Sequence, residues 1–460
     1  MLYNFKDGVI LNRSHKFLLL FCDLIFFLGS VVLISYVRSE IPPGIVLTAY
    51  GTWFITLVLL TLLYIFGSYD INHSTQSWKM VARSFVAIGI SLAFVVSAHY
   101  FGNRERAGIY GRGILIGSML LFGIVSGIAR ALICKNLTHS LRKAQWLFVA
   151  TRELYQKFLQ DLEKNPFRGQ AFFLLNDRSP SDPAQVIGTW TEDLPNVLLK
   201  KWSSIVIALD DKAPEELIEK LMLARFDSNR VRDLVQFYEE TWQKVPLYYL
   251  GSRWFLLTEG FHLLGNPIRL RLKRLMDVVI SFLLLILTSP LLLLTAIWIR
   301  LDSPGAAIYR QVRTGRDGKD FVIYKFRSMR TDAEKDGAKW AVQNDSRVTR
   351  VGNFIRKTRI DELPQLMNIL KGSMSFVGPR PERPEFNADL EKEISFYNLR
   401  HIVQPGLTGW AQILYPYGAS IDDAKEKLQY DLFYIKSYSL WLDISIILKT
   451  ITVVVFGRGR

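Results

Sequence analysis

The chain has 460 residues, enough for more than one domain, with half of them apolar and a formal net charge of +15. That balance excludes both an ordinary soluble enzyme and a pure transporter, and it fits a membrane protein with large soluble parts whose basic excess suits an anionic membrane surface, nucleic acid or phosphorylated substrates. Two cysteines, Cys22 and Cys134, cannot build a disulfide framework, and six scattered histidines offer no zinc-ligand spacing.

Four long apolar runs fill the first third: Phe17 to Val37, Ile45 to Phe66, Ser84 to Phe101 and Gly113 to Ile133. Each approaches the roughly 20 residues that cross a bilayer, so residues 1–143 read as a transmembrane four-helix region. The first run starts too far in, and is too long, for a cleavable signal peptide. Basic flanks orient the region with the N-terminus inside: Lys6, Arg13 and Lys16, then Lys79 and Arg83, then Arg130, Lys135, Arg142 and Lys143. Arg104, Arg106 and Arg112 break that pattern. Asp23 lies within the first span, where an acid is costly, and is either functional or satisfied by helix pairing.

Residues 144–265 alternate short β-rich runs with helical patterns. Trp146 to Val149, Ala171 to Leu175 and Ser204 to Leu209 read as buried parallel strands, and Pro214 to Ala224 as a helix with acids in its first turn. The expected fold is a small doubly wound α/β domain. A dinucleotide site needs a glycine-rich turn after the first strand; Ala150-Thr151-Arg152-Glu153 stands there instead, so the expected role is structural or regulatory.

Residues 266–460 read as an α+β catalytic domain. Its first element, within 275–300, carries a fifth apolar run, Val278 to Ile299, with basic residues on both flanks. Positive-inside reasoning keeps both ends in the cytoplasm, and Ser289-Pro290 in the middle predicts a break. The serine hydroxyl can satisfy a carbonyl that the proline frees. The expectation is a re-entrant helix that turns back at Ser289 and Pro290; a kinked spanning helix is the alternative. Beyond it, Thr314-Gly315 and Asp317-Gly318 signal turns, and Phe321 to Met329 reads as a strand with Lys325 and Arg327 on one face, a pair that implies an anionic partner.

Arg356-Lys-Thr-Arg-Ile-Asp361-Glu362-Leu-Pro-Gln-Leu, followed by Ser375-Phe-Val-Gly-Pro-Arg380-Pro, is the most informative stretch. Guanidinium groups match phosphate oxygens bidentately, and a carboxylate among them can attack phosphorus or hold a metal on it. A helix after Asp361 ends at Lys371-Gly372. Its start is either Thr358, in a Thr-x-x-Asp capping pattern, or Asp361 itself, which Pro364 favours. Both put Asp361 in the first turn, where the dipole with Arg356 and Arg359 lowers its pKa and makes it an ionised nucleophile. Glu362 points elsewhere and suits Mg2+.

These residues, with Lys273-Arg274 and Asp277, Ser289-Pro290, Tyr324 to Met329, Pro405-Gly-Leu-Thr-Gly-Trp-Ala-Gln and Asp431-Leu-Phe-Tyr434-Ile-Lys, resemble the bacterial sugar transferase family over about the last 190 residues. These are polyprenyl-phosphate hexose-1-phosphate transferases (monotopic phosphoglycosyl transferases), and the preceding spans and degenerate α/β domain resemble the long, exopolysaccharide-type members. Gln404 departs from the pattern, since a basic residue often precedes the Pro-Gly turn. The resemblance implies that Asp361 attacks the sugar-bearing phosphorus of a UDP-sugar, releasing UMP, and that polyprenyl (undecaprenyl) phosphate then takes the phosphosugar from the aspartate. It implies Mg2+ on Glu362, and substrate contacts from Lys325, Arg327, Arg356, Arg359, Arg380 and Asp431. The implied partners are the UDP-sugar, the polyprenyl phosphate and the lipid bilayer, with a homodimer as a further candidate and no nucleic acid. The implied location is the bacterial cytoplasmic (inner) membrane, with the catalytic domain facing the cytoplasm. Leu440 to Phe456, ending in Arg458 and Arg460, reads as an interfacial helix. Two other classes compete: a metal-dependent glycosyltransferase that releases UDP, against which stands the lack of any Asp-x-Asp triplet, and a non-catalytic membrane scaffold.

Overall fold

A computed structural model describes residues 13–39, 41–69, 77–101, 112–165, 167, 169–209, 213–226, 229–261, 265–333, 345–415, 418 and 420–455. Lys6, Arg104, Arg106, Arg458 and Arg460 lie outside the described residues, as do the side chains of Arg13, Lys16, Lys79 and Arg112. The chain divides into two compact units, Met1–Trp242 and Gln243–Arg460.

The first unit opens with helices α1 (Arg13–Ser39), α2 (Pro43–Thr48), α3 (Tyr50–Ile65), α4 (Ser77–Phe101) and α5 (Arg112–Lys143). Among the described residues of the whole chain, four helices are long and apolar enough to cross a membrane: three of these, plus one in the second unit. The second apolar run is not one of the four. It is broken at Ala49, whose backbone is extended, into a six-residue and a 16-residue helix. The longer piece spans roughly 24 Å, short of a ~30 Å hydrocarbon core. Thr52 Oγ1 donates to the Val46 carbonyl (2.5 Å) and Trp53 Nε1 to the Leu47 carbonyl (2.9 Å), replacing helical bonds lost at the break. Asp23 of α1 is paired across the bundle: Arg130 of α5 donates to its Oδ1 (2.9 Å) and Oδ2, and Ser126 to its Oδ1 (2.8 Å). Arg130, expected as a basic flank, is therefore a buried ion-pair partner, which desolvation requires of both charges.

The same unit continues with β1 (Gln145–Ala150), α6 (Arg152–Lys164), β2 (Gln170–Leu175), β3 (Val186–Thr189), α7 (Leu194–Leu198), β4 (Ser204–Ala208), α8 (Glu215–Phe226), β5 (Val231–Asp233) and α9 (Leu234–Thr241). All strand pairs are parallel, in the order β3-β2-β1-β4-β5. Alternation along β1 sends Leu147 and Val149 into an aliphatic core and Trp146 and Phe148 into an aromatic one with Phe158, Phe173 and Phe237. A sheet covered on both faces explains the continuous apolar strands. At its carboxyl edge, where a doubly wound fold places ligands, Thr151 caps α6 and Arg152 donates to Asp177 (2.7 Å) and Asp182 (2.6 Å).

The second unit comprises α10 (Ser252–Leu257), α11 (Pro267–Asp302), β6 (Ile308–Thr314), β7 (Asp320–Phe326), α12 (Arg350–Lys357), α13 (Leu366–Lys371), β8 (Ser375–Val377), α14 (Pro384–Glu393), β9 (Gly406–Thr408), α15 (Trp410–Leu414), α16 (Ile421–Lys436) and α17 (Leu440–Val455). It begins ahead of the 266 boundary read from the sequence. Trp410 donates to the Gln243 carbonyl (3.0 Å) and Lys244 pairs with Glu426 (2.6 Å), tying that segment to α15 and α16.

Helix α11 is continuous through Ser289 and Pro290, so the break expected there does not interrupt the helix. Pro290 cannot donate to the Ile286 carbonyl, and Ser289 Oγ donates to that oxygen instead (2.8 Å). The start of α11 is fastened to the domain by buried polar contacts. Lys273 donates to Asp443 of α17 (2.8 Å) and to the Val377 carbonyl (3.0 Å). Arg274 covers the last carbonyls of α13, and Asp277 accepts from Ser375 (2.8 Å) and the Phe376 amide (3.0 Å). Further along, Ile299 packs with Ala307, Phe326, Val351 and Ile355.

Candidate functional site

The two carboxylates stand on a tight 3-10 turn, Ile360–Gln365, entered through Arg359 in the left-handed region (φ +59°). Thr358 is not its N-cap. It terminates α12, its hydroxyl donating back to the Phe354 carbonyl (2.9 Å). The turn runs into α13, which ends on Gly372 at φ +86°, as the glycine C-cap predicts.

Asp361 and Glu362 are each only 8% exposed. Glu362 Oε1 accepts from Arg380 Nη2 (2.6 Å) and lies 3.7 Å from both Lys325 Nζ and Arg359 Nη1. Burial acts to raise the Glu362 carboxyl, but Arg380, Lys325 and Arg359 outweigh it and hold it well below the usual range. Asp361 behaves in the opposite way. Burial first, then the Glu362 charge, push its carboxyl up to about 6 against the pull of Lys325, Arg359 and Arg356. The lowering expected from a first-turn position is therefore reversed: desolvation outweighs a short helix dipole. Asp361 Oδ1 is shielded from solvent and has no hydrogen-bond partner among the described residues. Burial likewise brings the Lys325 ammonium down to about 8, with Glu362 opposing.

A cavity of about 1900 Å³ opens over this turn, with Lys325, Arg356, Arg359 and Arg380 in its wall around Asp361 and Glu362. Arg356 is steadied by Ser328, to which its Nε donates (2.8 Å). Arg380 rides on the Gly-Pro-Arg-Pro turn, which interlocks with the Pro-Gly-Leu-Thr-Gly turn: the Gly378 amide donates to the Thr408 carbonyl (2.9 Å) and the Gly406 amide to Pro379 (2.9 Å). A Cβ on Gly378, Gly406 or Gly409 would collide with the facing backbone, so both glycine motifs are demanded by this contact.

Asp431 of α16 lines the same cavity and is linked to Arg380 through another residue. Its Oδ2 accepts from Arg400 Nη2 (2.9 Å); the same nitrogen donates to the Arg380 carbonyl (2.9 Å), and Arg400 Nη1 to Tyr397 (2.6 Å). The sequence reading missed Arg400, which sits in no recognisable pattern. Arg327 lines the same cavity as Lys325, but its guanidinium is turned to other partners. β7 ends at Phe326, so strand alternation stops before it. Its guanidinium donates to the carbonyls of Ser303 (2.6 Å) and Pro304 (2.8 Å), closing the end of α11. Gly305 (φ +118°) leaves room for it.

Among the described residues no cluster of three or more His, Cys, Asp or Glu could cage a metal. Mg2+ in phosphate sites is commonly held by one or two carboxylates plus substrate oxygens, and the orphaned Asp361 oxygen beside Glu362 fits that sparser donor set.

The bacterial sugar transferase profile matches residues 268–457. The chain is 31% identical over 438 residues, 87% of its length and 88% of the other, to a UDP-glucose:undecaprenyl-phosphate glucose-1-phosphate transferase of Xanthomonas campestris pv. campestris. It is 46% identical over 284 residues to a protein of the same name from Escherichia coli (strain K12), covering 58% of this chain and 61% of that one. A UDP-N-acetylgalactosamine-undecaprenyl-phosphate N-acetylgalactosaminephosphotransferase of Aeromonas hydrophila is 50% identical over 197 residues, 43% of this chain and 47% of that protein. The chain thus spans about half to three fifths of the last two relatives. With a relative matched along nearly its whole length and the profile covering the second unit from α11 onward, the chain belongs to the bacterial sugar transferase family, and its C-terminal domain is the sugar transferase domain.

Proposed function

We propose that the chain transfers a sugar-1-phosphate from a UDP-sugar to polyprenyl (undecaprenyl) phosphate, releasing UMP, as an early membrane step in exopolysaccharide or other glycoconjugate synthesis. The observation that carries this reading is Asp361, a buried carboxylate with an unpartnered oxygen on the wall of a cavity crowned by Lys325, Arg356, Arg359 and Arg380. Those cations hold the diphosphate. An Asp361 oxygen bonds to the sugar-bearing phosphorus while the bond to the UMP oxygen breaks; a lipid phosphate oxygen then bonds to that phosphorus and the carboxylate leaves. Glu362 keeps Lys325, Arg359 and Arg380 in place around the reacting phosphate, whose developing charge they stabilise. Mg2+, held by Glu362, would neutralise diphosphate charge when bound.

Asp431 is read as a positioning residue that acts through Arg400 on Arg380. The proposed setting is the inner membrane, with the catalytic unit facing the cytoplasm and α11 re-entrant as an uninterrupted helix that dips into the bilayer around Ser289-Pro290. Re-entry is supported by the packing of α11: Asp277 and Ser281 near one end, and Thr295 and Ile299 near the other, are all buried. Only Phe282 to Leu294 lies between, roughly 20 Å of helix and too short for a ~30 Å core. A second copy of the chain is a further proposed partner, checked by mass photometry.

The test is a panel of UDP-glucose, UDP-N-acetylgalactosamine and UDP-galactose with undecaprenyl phosphate, scored for nucleotide release. UMP with a lipid-linked phosphosugar is expected. UDP release would mean simple glycosyl transfer, and no release from any donor would remove the reading.

A further inference from the structure

The cavity above Asp361 has a second wall of different chemistry. Leu284 of α11, Leu407 of β9, and Val453 and Val454 of α17 line it, together with Thr408 and Thr450. Helix α17 presents two faces. Trp441, Ile444 and Ile451 are exposed on one, while Ile446 is fully buried and Thr450, Val453 and Val454 follow at helical spacing on the other. Leu284 is likewise flanked on α11 by the exposed Phe282, Leu283 and Leu287. Two apolar helices therefore each give one side to the surroundings and another to the same cavity that holds the carboxylates.

The hydroxyls in this wall are already used. Thr450 Oγ1 donates to the Ile446 carbonyl (2.7 Å), so in its 2.7 Å contact with Thr408 it is the acceptor and Thr408 the donor. Neither proton is left for a ligand. A sugar or nucleoside placed here could donate to the threonine oxygens, but its own oxygens would face valine, leucine and threonine methyls and no threonine O–H to accept from, a costly burial. A branched hydrocarbon meets no such penalty and gains by leaving water.

We propose that this wall is the subsite for the isoprenoid chain of the acceptor, which enters between α11 and α17 along Leu284, Leu407, Val453 and Val454 and brings its phosphate to the cations around Asp361. The inference rests on the acceptor being a polyprenyl phosphate. It adds where the lipid lies, and it assigns acceptor recognition to residues outside the Asp-Glu and Gly-Pro-Arg-Pro motifs.

The experiment uses the full chain in detergent or nanodiscs. Val454→Trp and, separately, Leu284→Trp fill the subsite, while Ile451→Trp adds the same ring on the exposed face of α17. With whichever of UDP-glucose or UDP-N-acetylgalactosamine supports UMP release, the two filling variants are expected to raise the KM for undecaprenyl phosphate about tenfold, an effect of roughly 1.4 kcal/mol. Their KM for the UDP-sugar should stay near wild type, and Ile451→Trp should change neither. Unchanged acceptor KM in both filling variants would overturn the subsite, as would an equal rise in the two KM values.

Photolabelling of the wild-type chain with diazirine-bearing farnesyl phosphate reads the subsite without turnover. Adducts within 449–455 or 282–286 are expected, and adducts confined elsewhere reject it. Labelling at these segments by a chain that releases no UMP would leave the lipid subsite standing and remove the proposed reaction.

Discussion

Asp361→Asn should stabilise the protein while abolishing turnover. The wild-type carboxyl is raised from 3.8 to about 6 in the folded chain, and at roughly 1.36 kcal/mol per unit this is a cost of about 3 kcal/mol to the folded state at neutral pH. An asparagine of the same shape removes the buried charge and leaves a neutral group with an unpaired atom, which is cheaper. For a unit of this size each kcal/mol moves Tm by roughly 2–4 °C, so a rise of about 5 °C or more is expected at pH 7.5. The direction with pH is fixed by the raised value. The destabilisation is complete well above pH 6, fades as the folded carboxyl protonates, and is gone near the unfolded value of about 4, so the gap between variant and wild type should narrow by roughly half as pH falls from 7.5 to 5. Differential scanning fluorimetry of both proteins in detergent across that range makes the measurement. A lower Tm for Asp361→Asn at pH 7.5, or a gap that does not change with pH, would show that desolvation does not dominate at this carboxylate. Turnover above about a tenth of wild type, an effect below roughly 1.4 kcal/mol, would refute the nucleophile assignment.

The same raised carboxyl predicts an acid limb in the pH profile of UMP release with a midpoint near 6, because the nucleophile is lost on protonation; a rate flat from pH 7.5 to 5 argues against Asp361 acting as a carboxylate. Arg400→Ala leaves Asp431 buried without its 2.9 Å partner and should cost about 3–5 kcal/mol in stability; Arg400→Met with Asp431→Leu should recover much of that but not the activity, since Arg380 loses the hold on its carbonyl, and full activity in the double variant would remove the positioning role. Single cysteines at Arg271 and Arg316, in a background lacking Cys22 and Cys134, should both resist an impermeant thiol reagent on intact spheroplasts, whereas labelling at 316 alone would mean that α11 spans the membrane.

Local dihedral preference and one-dimensional pattern were readable from the residues. The glycine at 372, the hydroxyl of Ser289 on the carbonyl freed by Pro290, and the three apolar strands of the middle domain all follow from neighbours in sequence. The short edge strands β3 and β5 were not readable, since three or four residues carry too little period. Nor was the break at Ala49, because apolar composition continues across it and only side-chain bonds from Thr52 and Trp53 reveal that the helix has stopped.

The electrostatics of the site failed to be readable for a different reason. Arg356 and Arg359 near Asp361 in sequence argued for a lowered pKa, yet the dominant influence is burial, which depends on elements distant along the chain, β7 and the Gly-Pro-Arg-Pro turn, packed around the 360–365 turn. The same non-local logic sorted the cations. Lys325, Arg327 and Arg130 look alike as letters, but one faces Glu362, one closes the end of α11 and one neutralises an acid inside the helical bundle. A charge is given its task by whichever opposite charge or open carbonyl the fold brings within about 4 Å of it, and that partner was more than 20 residues away in sequence each time. Cations gathered near a motif therefore point to an anion site without saying which of them will hold it, and the buried unpartnered carboxylate oxygen of Asp361 is what marks that residue as the proposed nucleophile.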